Sequence, residues 1–229
     1  MLTLHAFKPF LGSRSPSPFV VKAEALLAMS GEPYQVEHAD IRKAPRGKFP
    51  VLADGSEVIP DSALIQRHLE QRYDVDYDGH LSAEERAIAL AFQRLIEDHL
   101  YFFNMMFRWG DHPDVVRQGY FGEIPFFIRG LIFKMVAGSV NKTLNLAGFS
   151  RHTRADQEWK AEQDVDAIAA HLGDQPYFMG DYPSSIDASV FGMLEGIIPC
   201  DLDVPGRRFV MKHDNLINYH ARLTKEWFG

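Results

Sequence analysis

The 229-residue sequence holds one cysteine, Cys200, and that scarcity removes several possibilities at once. A lone cysteine forms no intramolecular disulfide and no CxxC redox or zinc pair, which suits a reducing cytoplasm. Positive charge is also scarce. Against 31 Asp and Glu there are 24 Lys and Arg, a net charge of −7, so no nucleic-acid partner is expected, because phosphate binding needs a concentrated basic face. No hydrophobic run is long enough to span a bilayer. The most apolar stretch, residues 124–137 (IPFFIRGLIFKMVA), falls short of the ~20 residues a span requires. Arg129 and Lys134 also interrupt it, so it reads as a buried or interfacial helix. Lys8 and Pro9 break the chain before a secretory hydrophobic core could form. There is no HExxH, no CxxC and no histidine pair at i, i+4, so no metal is expected. Internal repeats and low-complexity tracts are absent as well.

What is present begins with alternation. Leu2, Leu4 and Ala6 alternate with Thr3, His5 and Phe7, the pattern of a half-buried strand. A loop rich in Pro, Ser and Gly follows, from Lys8 to Pro16. Ser17 then stands where an N-cap belongs, with Pro18 at the first helical position, where a missing N–H costs nothing. The helix runs through Val21, Ala23, Ala25, Leu26 and Leu27 to Gly31. Tyr34, Val36 and His38 alternate as a second strand.

The densest stretch is Gly47 to Leu69. Pro50-Val51-Leu52-Ala53 is a short apolar strand, Asp54-Gly55 a hairpin turn, and Glu57-Val58-Ile59 the returning strand. Asp61-Ser62 opens a helix carrying Ala63, Leu64, Ile65, His68 and Leu69. A helix start offers unpaired N–H groups and roughly half a positive charge, and Asp61 adds a carboxylate. Together they would suit the carboxylate and ammonium of an amino acid. Plain capping explains the same two residues, and on this stretch alone it is the commoner use.

Asp74 to His80 (DVDYDGH) is acidic, without apolar period, and reads as a linker. Beyond it the signals are helical. Ser82 and Glu85 make a capping box, followed by Ala87, Ile88, Ala91, Leu95, Ile96 and His99 on one face. Further helical regions are expected from Ile124 to Val140, from Arg151 to Leu172, from Ser184 onward, and from about Asn215 to Phe228. Ser184-x-x-Asp187 is a second capping box, leading into Ala188, Val190, Phe191, Leu194 and Ile198, and is assigned a folding role.

The strand-helix-strand, strand-strand-helix order, the run Gly47-Lys48-Phe49-Pro50-Val51-Leu52, the Asp61-Ser62 pair and the Ser184–Asp187 box together resemble the glutathione transferase superfamily. The Ser-Pro-Phe start of the first helix, residues 43–48 and Gly148-Phe149-Ser150-Arg151-His152 are most similar to bacterial relatives of its metaxin and failed-axon-connections branch. Ile186 departs from the alanine that usually precedes the aspartate of the box. The fold this implies is α/β plus all-α: a thioredoxin-like glutathione-binding domain over residues 1–75, a linker at 76–81 and an all-helical C-terminal domain over 82–229.

The resemblance also implies roles. Pro50 would be cis, Val51 would offer its backbone to the cysteinyl part of reduced glutathione, and Asp61 and Ser62 would hold the γ-glutamyl end. Ser17, fourteen positions before Gly31, would be the hydroxyl that stabilises the thiolate, with Ser13 and Ser15 as competitors in the same loop. Because no cysteine stands there, the thiol-exchange branch is disfavoured. Lys48 would meet the glycyl carboxylate, or simply be solvated. Arg14 would reach an anionic ligand, or simply be exposed. Tyr101, Phe102, Met105, Met106, Phe107 and Trp109 offer surface for a small hydrophobic electrophile, about half of them at most. The function implied is transfer of glutathione's thiolate to that electrophile by a cytoplasmic detoxifying enzyme, commonly a homodimer. Two alternatives stay open: a non-catalytic adaptor module of metaxin-like type, and a glutathione-dependent isomerase or dehalogenase.

Overall fold

The computed structural model describes residues 1–122, 124–200 and 202–229. Its first layer is a four-stranded sheet in the order β2-β1-β3-β4, formed by β1 (Leu2–Ala6), β2 (Tyr34–His38), β3 (Val51–Asp54) and β4 (Glu57–Pro60). β1 runs parallel to β2, with Leu2 opposite Tyr34, and antiparallel to β3, with Leu4 opposite Leu52. The parallel pair requires a crossover, and α1 (Pro18–Ser30) supplies it. Gly31 ends α1 at φ 71°, a left-handed position where glycine carries no Cβ penalty. Between β2 and β3 the chain makes only a 3-10 turn, Ile41–Lys43. α2 (Ser62–Arg72) follows β4 and completes a thioredoxin-like unit.

The remaining helices are α3 (Ala83–Arg94), α4 (Tyr101–Asp111), α5 (Pro113–Phe121), α6 (Phe126–Leu146), α7 (Arg154–Leu172), α8 (Ser185–Glu195), α9 (Pro205–Val210) and α10 (Asp214–Phe228). A π-helical turn, Leu95–Leu100, joins α3 to α4. Both expected capping boxes form. Glu85 accepts from the Ser82 amide at 2.7 Å. Asp187 accepts from the Ser184 amide at 2.8 Å and from its hydroxyl at 2.9 Å. The other oxygen of Asp187 takes the Phe178 amide at 2.7 Å and the Tyr219 hydroxyl at 2.6 Å. Four donors on one fully buried carboxylate are a folding device, tying α8 to α10 and the preceding loop.

The seam between the two layers is where α1 meets α8. Residues Val20 to Leu27 of α1 are all buried, because the sheet covers one side and α8 the other. Gly192 permits the crossing: a Cβ there would lie 2.5 Å from the Pro18 carbonyl oxygen. Within the seam Lys22, 1% exposed, donates to Glu97 at 2.6 Å, and the same oxygen accepts from Ser189 at 2.7 Å. The segment linking α2 to α3 is fastened as well. Tyr77 donates to the Leu26 carbonyl at 2.8 Å, and Asp78 accepts from the amide and hydroxyl of Ser185.

One expectation in the helical part holds only in its second half. Of the stripe read along α3, Ala87, Ile88 and Ala91 face outward, whereas Ile96 is buried and Leu95 packs against the core, with Ala89, Leu100, Phe103 and Phe107 also buried. The π-turn changes the period, so one spacing does not describe both halves. α6 is not buried: Phe126, Phe127, Leu131 and Met135 are 65–85% exposed, so of the two expected states, buried or interfacial, the first is excluded. Among the described residues no helix is long and apolar enough to cross a membrane.

Candidate functional site

A cleft of about 610 Å³ opens between the sheet layer and the helices. One wall is built from the edge of the thioredoxin-like unit: Ser17, Lys48, Pro50, Asp61 and Ser62. The other is helical: Tyr101, Phe102, Met105, Arg108, Trp109 and Tyr120.

The first wall is shaped by backbone. Phe49-Pro50 is a cis peptide bond, and the Pro50 carbonyl accepts from the Asp61 amide at 3.1 Å, which fastens the turn before β3 to the start of α2. Asp61 sits at φ 83°, ψ 134°, a conformation that costs a non-glycine residue of order 1–3 kcal/mol and persists where surrounding structure imposes it. Its Oδ1 accepts from the Ala63 amide at 2.9 Å, capping α2, and the second carboxylate oxygen of this cleft-lining residue has no partner among the described residues. The Ser62 hydroxyl, at the first helical position, also lacks one. Val51 does not line the cleft; its side chain packs with Ala6, Val20 and Phe49, so only its main chain is available. Lys48 lies exposed at the rim.

Ser17 occupies the N-cap position of α1 but makes no side-chain capping bond. Its hydroxyl therefore stands at the positive end of a 13-residue helix, uncommitted, and partly exposed to the cleft. The competing serines are placed elsewhere. Ser13 and Ser15 are 4% and 1% exposed, Ser13 donating to the Ser15 carbonyl and Ser15 accepting from the Ser17 amide. They brace the loop. Arg14 is not a loop arginine open to ligands: it binds Glu24 at 2.5 Å, stacks 3.9 Å above the Phe228 ring, and its amide donates to Glu195 at 2.9 Å. Glu195 in turn pairs with His220 at 2.6 Å. The loop presenting Ser17 is thus clamped by α10.

The helical wall is made of side chains. Tyr101, Phe102, Met105 and Trp109 line the cleft, more than the half expected, whereas Met106 packs against the core and Phe107 is fully buried. Several lining residues had no signal in the sequence, Glu97, Arg108 and Tyr120 among them. Tyr120 donates to the Pro16 carbonyl at 3.1 Å, and Arg108 reaches the same oxygen at 3.4 Å. Burial pushes the Tyr120 phenol up, with Arg108 opposing. Among the described residues no group of three or more His, Cys, Asp or Glu side chains is placed to hold a metal ion.

A thioredoxin-like layer with a cis-proline, a charged N-cap beside it and an all-helical layer closing the cleft define the glutathione transferase class of fold. Comparison with known proteins agrees. Residues 18–115 match the glutathione S-transferase N-terminal domain and residues 161–223 the glutathione S-transferase C-terminal domain. The chain is 31% identical to the isoprene-epoxide–glutathione S-transferase of Rhodococcus sp. (strain AD45), over 99% of both chains. It is 29% identical to Failed axon connections of Drosophila melanogaster, covering 94% of this chain and 56% of that longer protein. A glutathione S-transferase of Ceriporiopsis subvermispora, solved in complex with glutathione, superimposes with a TM-score of 0.65 at 18% identity, over 98% of this chain and 97% of that one. The protein belongs to the glutathione S-transferase family.

Proposed function

We propose that the cleft binds reduced glutathione and transfers its thiolate to a small hydrophobic electrophile. In this reading Asp61 and Ser62 hold the γ-glutamyl end, the Val51 main chain after Pro50 pairs with the cysteinyl unit, Lys48 meets the glycyl carboxylate, and Ser17 donates to the sulfur. The electrophile lies against Tyr101, Phe102, Met105 and Trp109. The carrying observation is the Ser17 hydroxyl, free at the N-terminus of α1 and in the same cleft as Pro50, Asp61 and Ser62.

The chemistry asks for that placement. A free thiol titrates near ~8.5, so only a few per cent is nucleophilic thiolate at neutral pH. A hydroxyl donor and a helix N-terminus each favour the anion by about 1 kcal/mol or more, enough together to bring the pKa toward working pH. The activity of the Rhodococcus relative, named for an epoxide, supports a small electrophile. Residues 1–75 would form the glutathione domain and 82–229 the helical domain, joined at 76–81. Exposed Val58, Leu64, Ile88 and Leu90 support a homodimer, and the lone buried cysteine suits a cytoplasmic enzyme.

Calorimetric titration with reduced glutathione tests the reading. Saturable binding at or below the millimolar range is expected, and absence of binding at millimolar ligand would sink it.

One observation favours a second reading. The outward stripe Phe127, Leu131 and Met135 on α6, with the likeness to Failed axon connections, fits a module that keeps the fold and works by contact. Glutathione turnover by the purified chain would count against that alternative.

A further inference from the structure

The two faces of α6 have different surroundings. On the inner face Leu144 is buried, Phe133 stacks on Trp109 at 6.1 Å, and Ser139, Val140 and Thr143 line the cleft. On the outer face Phe127, Leu131, Met135 and Leu146 are 65–74% exposed. With Lys142 they recur at intervals of four or seven residues, so they form one stripe along the helix. Phe126, 85% exposed, stands at its start. The inner face already anchors the helix, so folding does not account for the outer one. Several hundred Å² of contiguous apolar surface is the size at which a patch marks a contact site.

Charge says what kind of contact. In a chain of net charge −7, α6 carries Arg129, Lys134 and Lys142 and no Asp or Glu. Arg129 donates to the Gly122 and Ile124 carbonyls and braces the helix start. Lys134 and Lys142 are exposed beside and within the stripe and make no ion pair among the described residues. Apolar side chains flanked by unpaired lysines suit the headgroup boundary of an anionic bilayer, where the rings and aliphatic chains enter the acyl edge and the ammonium groups reach up to phosphate. Two copies of the stripe face to face would set lysines against lysines with no acid on either helix to offset them. Three cations and a packed inner face keep the helix lying on the bilayer, not across it.

We infer that α6 docks this protein on anionic phospholipid membranes through Phe126, Phe127, Leu131, Met135 and Leu146, with Lys134 and Lys142 reading the lipid charge. Docking brings the cleft wall formed by Ser139, Val140 and Thr143 beside the acyl boundary, where a small hydrophobic electrophile concentrates. That consequence rests on the proposed function, whereas the docking does not.

Co-sedimentation of the full chain with vesicles tests it, using phosphatidylcholine alone and phosphatidylcholine with about 30% phosphatidylglycerol. Binding should favour the anionic vesicles and weaken as salt is raised. Leu131→Glu and Met135→Glu should each weaken it by about tenfold or more, whereas Leu90→Glu, at an exposed position on α3, should leave it unchanged. Lys134→Gln combined with Lys142→Gln should lower the anionic preference by about tenfold. All these side chains are exposed, so the fold does not depend on them. No binding to anionic vesicles, equal binding to both compositions, or Leu131→Glu binding within about twofold of the native chain overturns the inference. So does light scattering that shows a native dimer and a Leu131→Glu monomer, since the stripe then belongs to a second copy. Calorimetry with reduced glutathione reads the proposed function separately, because none of the substituted residues lines the cleft.

Discussion

The two walls of the cleft are built on opposite principles. On the thioredoxin-like side the geometry belongs to the backbone: a cis Phe49-Pro50 bond, an Asp61 held at positive φ, and two helix starts whose first residues line the cleft. On the helical side the backbone is regular and side chains do the lining, with Tyr101, Phe102, Met105, Arg108 and Trp109 on one face of α4. A wall made of main chain can recognise one peptide-like ligand and tolerates little change in its conformation. A wall made of side chains can be re-specified residue by residue without disturbing the fold. In the proposed function that division would place the thiol co-substrate on the first side and the electrophile on the second.

The seam joining the walls is the place to break both at once, and the largest effect is expected there. Lys22→Met leaves Glu97 buried without its partner, a loss of about 3–5 kcal/mol, or roughly 10 °C in Tm for a chain of this size. Lys22→Met combined with Glu97→Leu should recover much of that, because an apolar pair replaces the ionic one. Thermal unfolding of the two variants checks it; a double variant no better than the single would show that Glu97 is not the group stranded.

A smaller effect should fall on the glutathione side alone. Phe228→Ala removes the ring beneath Arg14, worth about 1 kcal/mol, and loosens the loop that presents Ser17. The KM for glutathione should rise by about threefold while the KM for the electrophile stays put. Movement of the electrophile's KM instead would mean the two walls are not independent.

The smallest effect touches neither wall. His171 is packed between Phe92 and Phe178 at 4.4 and 4.7 Å, and burial holds its imidazole below the usual 6.5. The folded state therefore resists protonation that the unfolded chain accepts. Stability is full above about 6.5 and falls as the pH drops from there to the depressed folded value. A shallow acid-side fall in Tm is expected, reduced in His171→Phe.

The difference between the walls also explains what could be read in advance. Ser17, Pro50, Asp61 and Ser62 carry local signals, since caps, turns and prolines act on their own neighbours, and β1, α1 and β2 emerged within a residue or two of their observed ends, as did the start of α2. Arg108 and Tyr120 carry none. An arginine in an aromatic helix is indistinguishable from a solvated one until α8 and the serine loop bring Gly196 and Pro16 to it. Glu97 is the same case, legible only once Lys22 and Ser189 converge. Short α5 and α9 begin at Pro113 and Pro205, each at a first helical position, a start signal visible in the sequence although their few residues show no period.

The central claim is that Ser17 stabilises the thiolate of glutathione bound in this cleft. Ultraviolet titration of the bound thiol tests it most directly, comparing the native protein with Ser17→Ala. The native complex should ionise below the ~8.5 of a free thiol, and Ser17→Ala should return the midpoint toward that value with turnover reduced. A midpoint that is the same in both proteins would contradict the claim.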